Sequence, residues 1–403
     1  MMESVPSDWI VSTLGTCCSI ASGGTPRRER PEYWGGSIPW VTPKDISNLD
    51  SPDFFEPAEK ITELGLRKSS AALLPAGAVL MSSRAPIGLL AIAGQPMATN
   101  QGFKSLIPGP ELDGRFLYYA IRRLVPVIQE RGNGATFKEV SKSKSVVSEI
   151  PVAYPKSLKR QRRIAAILDK ADEVRRKRER ALAMADELLK SVFLEMFGDP
   201  STNPMAWPTA TLDELGEVQG GLQVTKTRDS LNLRLPYLRV ANVYRDRLDL
   251  GEIKQIGVTP AEFERTKLAA GDILIVEGHG NPEEIGRAAV WDGSIDPCLH
   301  QNHLIRFRAD RSQVIPLYVS RVLNSTGGRL QLIGAGRTTS GLNTISTRKV
   351  KEVWIPVPPL ATQQKFENFA SREQMLQRSL YDDHVYSNNL FVSLFQRAFR
   401  GEL

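Results

Sequence analysis

The feature that most constrains this chain is a long stretch, Lys156 to Phe197, that contains neither glycine nor proline. Ile164, Ile167, Ala171, Val174, Arg178, Ala181, Ala185, Leu188, Val192 and Glu195 recur at steps of three and four, and all but Arg178 and Glu195 are apolar. Leu168, Leu182, Leu189, Phe193 and Met196 widen the stripe. The spacing predicts one amphipathic helix with a seam near the 3.5-residue repeat of coiled coils. Gly198 and Pro200 supply a C-cap and a stop. At 1.5 Å per residue, roughly 40 helical residues make a rod of about 60 Å. Such a rod needs a partner helix.

The chain supplies one. Ala361 to Arg400 is also free of glycine and proline and carries Phe366, Phe369, Leu376, Leu380, Leu390, Leu394 and Ala398 in a less regular stripe. The two helices share a lead-in. Ile150-Pro151-Val152 with Pro155, Leu158 and Gln161 is echoed by Ile355-Pro356-Val357 with Pro359, Leu360, Gln363 and Gln364. Upstream, Trp9, Leu14 and Gly15 match Trp207, Leu212 and Gly216. Ile38-Pro39-Trp40-Val41 matches Leu235-Pro236-Tyr237-Leu238, and Leu74 with Gly77 matches Leu268 with Gly271. Asn100-Gln101 matches His300-Gln301, and Val140-Ser141 matches Ile345-Ser346. The order is kept and the offsets run only from 194 to 205. That is an internal duplication, far too long in period for a solenoid. It predicts two copies of one globular module, each followed by one helix.

Each module reads as mixed α/β. Short β-rich runs at 78–81, 89–93, 272–276, 288–291 and 304–307 are separated by glycine and proline turns. A helix is expected over 115–129, with Pro126 kinking or ending it, and a counterpart over 316–324. The length of 403 residues suits two or three domains.

Net charge is +7, from 52 Lys and Arg against 45 Asp and Glu. Between Lys156 and Arg180 eleven basic residues face four acidic ones, so this segment alone equals the whole excess. A charge run of this kind serves as a solvated helix face or as a contact for phosphates or an acidic partner. No 18-residue apolar run is present, and the first ten residues lack the apolar core of a signal peptide. Cys17, Cys18 and Cys298 show no CxxC spacing, which points to reduced, buried thiols in a cytoplasmic protein rather than disulfides or zinc. No catalytic motif emerges. There is no GxxxxGK[ST] loop, no HExxH, no GxSxG and no Asn/Asp-Pro-Pro-aromatic tetrad. Gly278-His279-Gly280 reads as a plain loop, Glu252-Ile253-Lys254 as a chance nuclease-like string, and His300 with His303 as part of a polar loop. No catalytic and no metal site is expected.

A duplicated α/β module with a long helix after each copy, the first entered through Gln161-Arg162-Arg163-Ile164-Ala165-Ala166-Ile167-Leu168-Asp169 and left through Phe197-Gly198-Asp199-Pro200, resembles the specificity subunit of Type I restriction–modification enzymes. The resemblance runs along the whole chain and is weakest within the modules. The second helix departs from it at Phe366-Glu367-Asn368-Phe369. The resemblance implies a pseudo-two-fold dumbbell. Two target-recognition domains, 1–157 and 199–359, would be held apart by antiparallel coiled-coil helices, 158–198 and 360–403. It implies a non-catalytic role in phage defence, with each domain reading half of a bipartite site in double-stranded DNA. Two methyltransferase subunits and a restriction/translocase subunit would be the partners and would carry S-adenosylmethionine, ATP and Mg.

Base reading wants Arg or Lys for guanine and Asn or Gln for adenine, presented on loops. In the first module the candidates are Lys44, Arg84, Asn100, Gln101, Lys104, Thr136 and Lys138; in the second they are Arg239, Asn242, His300, Gln301, Asn302, Arg337, Thr338 and Thr339. Lys142, Lys144, Arg348 and Lys349 suit phosphates. The glycine loops at 132–136 and 334–338, one per copy, are the paired candidates for DNA contact. For partner docking the helices offer Ile164, Ile167, Arg175, Arg178, Leu188, Phe369, Leu376 and Leu394. The competing readings are a Type IIB-like specificity subunit, a self-contained nuclease or methyltransferase, and a helical adaptor that binds no DNA.

Overall fold

The computed structural model describes residues 5–84, 86–130, 145–334, 337–339 and 342–403, without the side chains of 145, 186, 334, 337–339, 342 and 343. The fold is mixed α/β and divides into two compact units, Met1–Ala181 with Leu380–Leu403, and Leu182–Ser379. The two long helices, α1 (Leu158–Phe197) and α2 (Leu360–Arg400), each give a segment to both units. Their C-terminal stops are alike. Gly198 (φ +75°) and Gly401 (φ +78°) take the left-handed conformation that glycine adopts without a Cβ clash.

The first unit contains a sheet in the order Cys18–Ser22, Lys104–Pro108, Val79–Met81, Leu90–Ala93, Asp53–Phe54. A second sheet runs Glu59–Ile61, Trp34–Val41, Ala98–Thr99, its last pair parallel. An antiparallel ribbon joins Trp9–Thr13 to Pro151–Pro155. The second unit repeats this plan. Gly216–Gly220, Leu304–Ala309, Ile273–Val276 and Ala288–Val290 form one sheet. Lys254–Val258, Leu233–Leu238 and Leu299–His300 form another, again with a parallel last pair, and Thr209–Thr211 joins Trp354–Pro356 in a ribbon. The duplication read from sequence is therefore a duplication of topology.

One contact shows why the helix lead-ins echo each other. Gln161 is fully buried; its amide donates to Pro155 O (2.8 Å) and Glu111 O (2.9 Å) and accepts from Asp113 N–H (2.7 Å). Gln363, equally buried, donates to Pro358 O (2.8 Å) and Gln313 O (3.3 Å) and accepts from Ile315 N–H (2.8 Å). Each glutamine ties the entry of a long helix to the helix and loop of its own module.

The helix expected over 115–129 is present as Gly114–Glu130 and continues through Pro126, with Ile128 fully buried in the core and Gln129 donating to Ile87 O (2.8 Å). One expectation needs correction. The seam on α1 is set differently. Its buried row is Ile164, Ala165, Leu168 and Asp172 in the first unit and Ala185, Leu189, Phe193 and Phe197 in the second, while Leu188 is 47% exposed. Four-residue steps advance about 40° around a helix, so this stripe winds faster than a heptad seam. It follows the β-modules as well as the other long helix. The first unit's core joins Ile164 and Leu168 to Phe391, Ala398 and Phe399, and the second's joins Leu189, Phe193 and Phe197 to Phe366 and Ala370. The three cysteines are free and buried.

Candidate nucleic-acid interface

The basic run on α1 is largely spent within the chain. Arg160 pairs with Asp8, Arg162 with Asp113, Lys170 and Lys177 with Glu173, Arg175 and Arg176 with Asp172, Arg178 with Asp383 and Arg180 with Asp50. The net charge of this segment is therefore a poor measure of what remains for phosphate. Among the eight docking candidates, Ile164 is fully buried, which takes it out of any docking surface. Phe369 and Leu394 pack against the unit cores, and Ile167 is half-buried. Arg175 binds Asp172 and Arg178 donates to Asp383 O (2.6 Å). Leu188 and Leu376 stay exposed, at 47% and 52%.

The loop candidates of the second unit come together. The Gln301 N–H donates to Leu238 O (3.0 Å), which sets Gln301 beside the Arg239 turn. The Glu277 N–H donates to His303 O (2.9 Å), and Ile345 N–H donates to Glu277 O (2.8 Å). Gly278 and His279 pair with Thr344 and Asn343, and this strand pairs in turn with Arg337–Thr339. The strands 337–339 and 342–344 are therefore docked on the corner where Gln301 and Asn302 lie, while residues 335–336 of the second glycine loop and the whole of the first, 132–136, lie outside the described residues. A short helix, Thr347–Lys351, follows directly and presents Arg348 and Lys349, both exposed and both paired with Glu352. Gln301 and Asn302 are half-exposed and make no side-chain hydrogen bond among the described residues.

The first unit gathers its candidates by the same backbone bonds. Asn100 N–H donates to Val41 O (2.9 Å), close to the exposed Lys44, and Ser83 N–H donates to Gly102 O (2.7 Å), next to the half-buried Arg84. Gln101 is exposed and accepts from the Thr25 hydroxyl. Asn100 turns its own loop, its Oδ1 accepting from Gly102 N–H (2.8 Å). Thr136, Lys138, Lys142 and Lys144 lie outside the described residues.

Three candidates are corrected by burial. Lys104, 6% exposed, donates from Nζ to Ser22 Oγ (2.8 Å). Asn242, 3% exposed, accepts from Arg239 N–H (2.9 Å) and donates to Asp249 O (2.8 Å) and Glu252 O (3.0 Å). It pins the loop as Asp45 does in the first unit, where the carboxylate accepts from Thr42 N–H (2.7 Å) and Ala58 N–H (3.2 Å). His300 is fully buried, with ring nitrogens 3.1 Å from Thr266 O and 3.4 Å from Gln219 O. Desolvation pushes its pKa down to about 4, so the ring is neutral at pH 7 and donates from one nitrogen only. All three hold up the loops rather than reading from them. Arg239 keeps a rim position, paired with Glu252 (3.1 Å).

Glu277 belongs to no motif in the sequence. Its only signal is positional, one residue after the repeated strand and one before Gly278-His279-Gly280. Among the described residues no group of three His, Cys, Asp or Glu side chains is placed to hold a metal ion, and no helix is long and apolar enough to cross a membrane.

Residues 6–182 match the family model of the Type I restriction modification DNA specificity domain. The chain is 30% identical over 263 residues to the Type I restriction enzyme MjaIX specificity subunit of Methanocaldococcus jannaschii, covering 60% of this chain and 59% of that protein. To the EcoKI specificity subunit of Escherichia coli it is 28% identical over 198 residues, covering 47% and 41%. The chain thus spans less than two thirds of the length of either relative. Among solved structures it matches the S subunit of a Type-I restriction-modification system from M. genitalium with a TM-score of 0.58 at 14% identity, over 99% of this chain and 97% of that one. A chain solved in work on complex assembly and conformational transition of a type I R-M system matches with a TM-score of 0.52 at 18% identity, over the whole of both. At such identities the likeness is one of fold. Residues 6–182 thus match a Type I restriction modification DNA specificity domain, and the chain is similar in sequence to Type I specificity subunits over part of its length and in fold over nearly all of it.

Proposed function

We propose that this chain is the DNA-recognition subunit of a Type I restriction–modification complex, non-catalytic by itself, with each module reading one half of a bipartite site. The observation that carries this is the repeated topology, in which two modules of one plan each gather loop Arg, Lys, Asn and Gln residues by the same backbone bonds. A two-part DNA target calls for such a repeated reader. The division is into recognition domains at 1–157 and 199–359 and spacer helices at 158–198 and 360–403, arranged as a pseudo-two-fold dumbbell. The reading residues are the exposed members of the loop set, Lys44, Gln101, Gln301 and Asn302, with the strand Arg337–Thr339 beside them. Arg348 and Lys349 neutralise phosphate. The spacer helices dock two methyltransferase subunits, for which Leu188 and Leu376 offer exposed apolar side chains. The partners, including a restriction/translocase subunit, carry S-adenosylmethionine, ATP and Mg, and the complex works in the cytoplasm.

Binding of duplex DNA by the full chain, followed by fluorescence anisotropy, is the test. Each phosphate contact contributes about 0.9 to the slope of log K against log salt. The double variant Arg348→Ala, Lys349→Ala is expected to flatten that slope by about one to two and to leave the preferred sequence unchanged. A chain with no salt-dependent duplex binding is an adaptor, not a reader.

A further inference from the structure

The two modules differ in chemistry at one equivalent position. In the first unit the chain leaves the strand Val79–Met81 through Ser82, whose N–H donates to Leu89 O (2.9 Å) while its carbonyl accepts from Gly88 N–H (3.0 Å). In the second unit Val276 makes the same two bonds, its N–H to Arg287 O (3.0 Å) and its carbonyl from Gly286 N–H (3.0 Å). The next residues are therefore equivalent. Ser83 sends its N–H to Gly102 O (2.7 Å), and Glu277 sends its N–H to His303 O (2.9 Å).

Ser83 is fully buried and satisfied, its hydroxyl donating to the same Gly102 carbonyl (3.2 Å). Glu277 is half-buried, and its carboxylate has no hydrogen-bond or ionic partner among the described residues. Desolvation alone pushes its pKa up to about 7. A carboxylate partly withdrawn from water, with no protein donor among the described residues, costs the fold some stability. Such a group persists where a ligand supplies the missing donor. Its place is suited to that, because Gln301 and Asn302 directly precede His303, and the strand 342–344, itself paired with 337–339, docks at Gly278 and His279.

Resting on the reading of this module as a DNA reader, we propose that Glu277 is a specificity-determining residue whose carboxylate accepts a hydrogen bond from the exocyclic amino group of a cytosine in the major groove. A carboxylate is the side chain that reads this amino group, since it accepts and offers nothing to guanine O6 or N7. The flanking Gln301 and Asn302 carry donors and acceptors for neighbouring bases. The first module, with its hydroxyl already spent on Gly102, makes no such contact.

The test is selection of randomised duplexes by the full chain, with the bound pool sequenced, for the parent and for Glu277→Gln. The parent is expected to enrich two blocks, one of them with a fixed cytosine. Glu277→Gln, which adds a donor, is expected to lose the cytosine preference at that position by about 5- to 100-fold and to shift it toward adenine. Every other position, including the whole second block, should stay unchanged. The thermal midpoint of Glu277→Gln should equal or exceed the parent's, because an unpaired charge has been removed. An unchanged motif overturns the proposal while leaving the reader intact. A lowered midpoint with binding lost at all positions also overturns it, since Glu277 would then hold the fold. A parent that enriches no motif takes the reader and this residue down together.

Discussion

Replacing Asp172 with alanine is expected to destabilise the first unit by about 3–5 kcal/mol, the cost of leaving buried charge without its partner. Asp172 has no exposed surface, and three arginines share its carboxylate: Arg122, Arg175 and Arg176, each at 3.0 Å. Their side chains are 29%, 19% and 16% exposed, so water replaces little of what the carboxylate gives them. The same guanidiniums line a cleft of about 610 Å³ together with Tyr118, Arg180, Asp50 and Glu179, so four guanidiniums share this space with two carboxylates. Once Asp172 is gone, Arg175 keeps Glu179 (3.2 Å), and Arg122 and Arg176 keep no ionic partner among the described residues. Asp172→Asn preserves shape and one acceptor and should fall between the parent and alanine. The control is Arg162→Ala, whose pair with Asp113 is 68% exposed on the arginine side and is worth under about 1 kcal/mol. Urea midpoints of the three variants measure this. A loss below 1 kcal/mol for Asp172→Ala would mean that solvent already screens the cluster.

Phe366→Ala should cost the second unit about 3–5 kcal/mol. Phe366 is fully buried, with its ring centroid 5.4 Å from Phe193 and 5.5 Å from Phe197, both edge-on. Tyr318 closes the group, 4.8 Å from Phe197 and 5.9 Å from Phe193. Truncation leaves a ring-sized void among rigid aromatics that cannot collapse into it, so the cavity penalty adds to the lost transfer energy. Phe369→Ala, at a half-buried position one turn on, is the smaller comparison. Equal midpoints for Phe366→Ala and the parent would show that the ring group does not anchor the helix pair.

Phe366 also shows what the sequence made legible and what it hid. The aromatic in place of the aliphatic Ile164 read as a departure from the repeat. In the structure the exchange is reciprocal. The first unit sets Ile164 among Phe391 and Phe399 of α2, while the second sets Phe366 against Phe193 and Phe197 of α1. The repeat itself was readable because backbone demands recur. Gln161 and Gln363 must satisfy the same three groups, and Gly198 and Gly401 must turn left-handed. Burial of individual polar side chains was not readable. Asn242 and Lys104 look like base readers in one dimension, and only the folded loop shows that their hydrogen bonds are already spent. The neutralisation of the charge run was hidden in the same way, because Asp8, Asp50, Asp113 and Asp383 come from distant parts of the chain to pair with it. Glu277 was invisible for the opposite reason, since its signal is the want of a partner among the described residues.

The proposal that two readers are held at a spacing set by the long helices is tested most directly by inserting four helix-forming residues after Ala181 and four after Ser379, then selecting randomised duplexes with the full chain. Four residues lengthen a helix by about 6 Å, and each base pair rises about 3.4 Å. The expected result is the same two sequence blocks with the gap between them longer by one to two base pairs. The same two blocks at the parent's gap, or one contiguous block in both proteins, would contradict it.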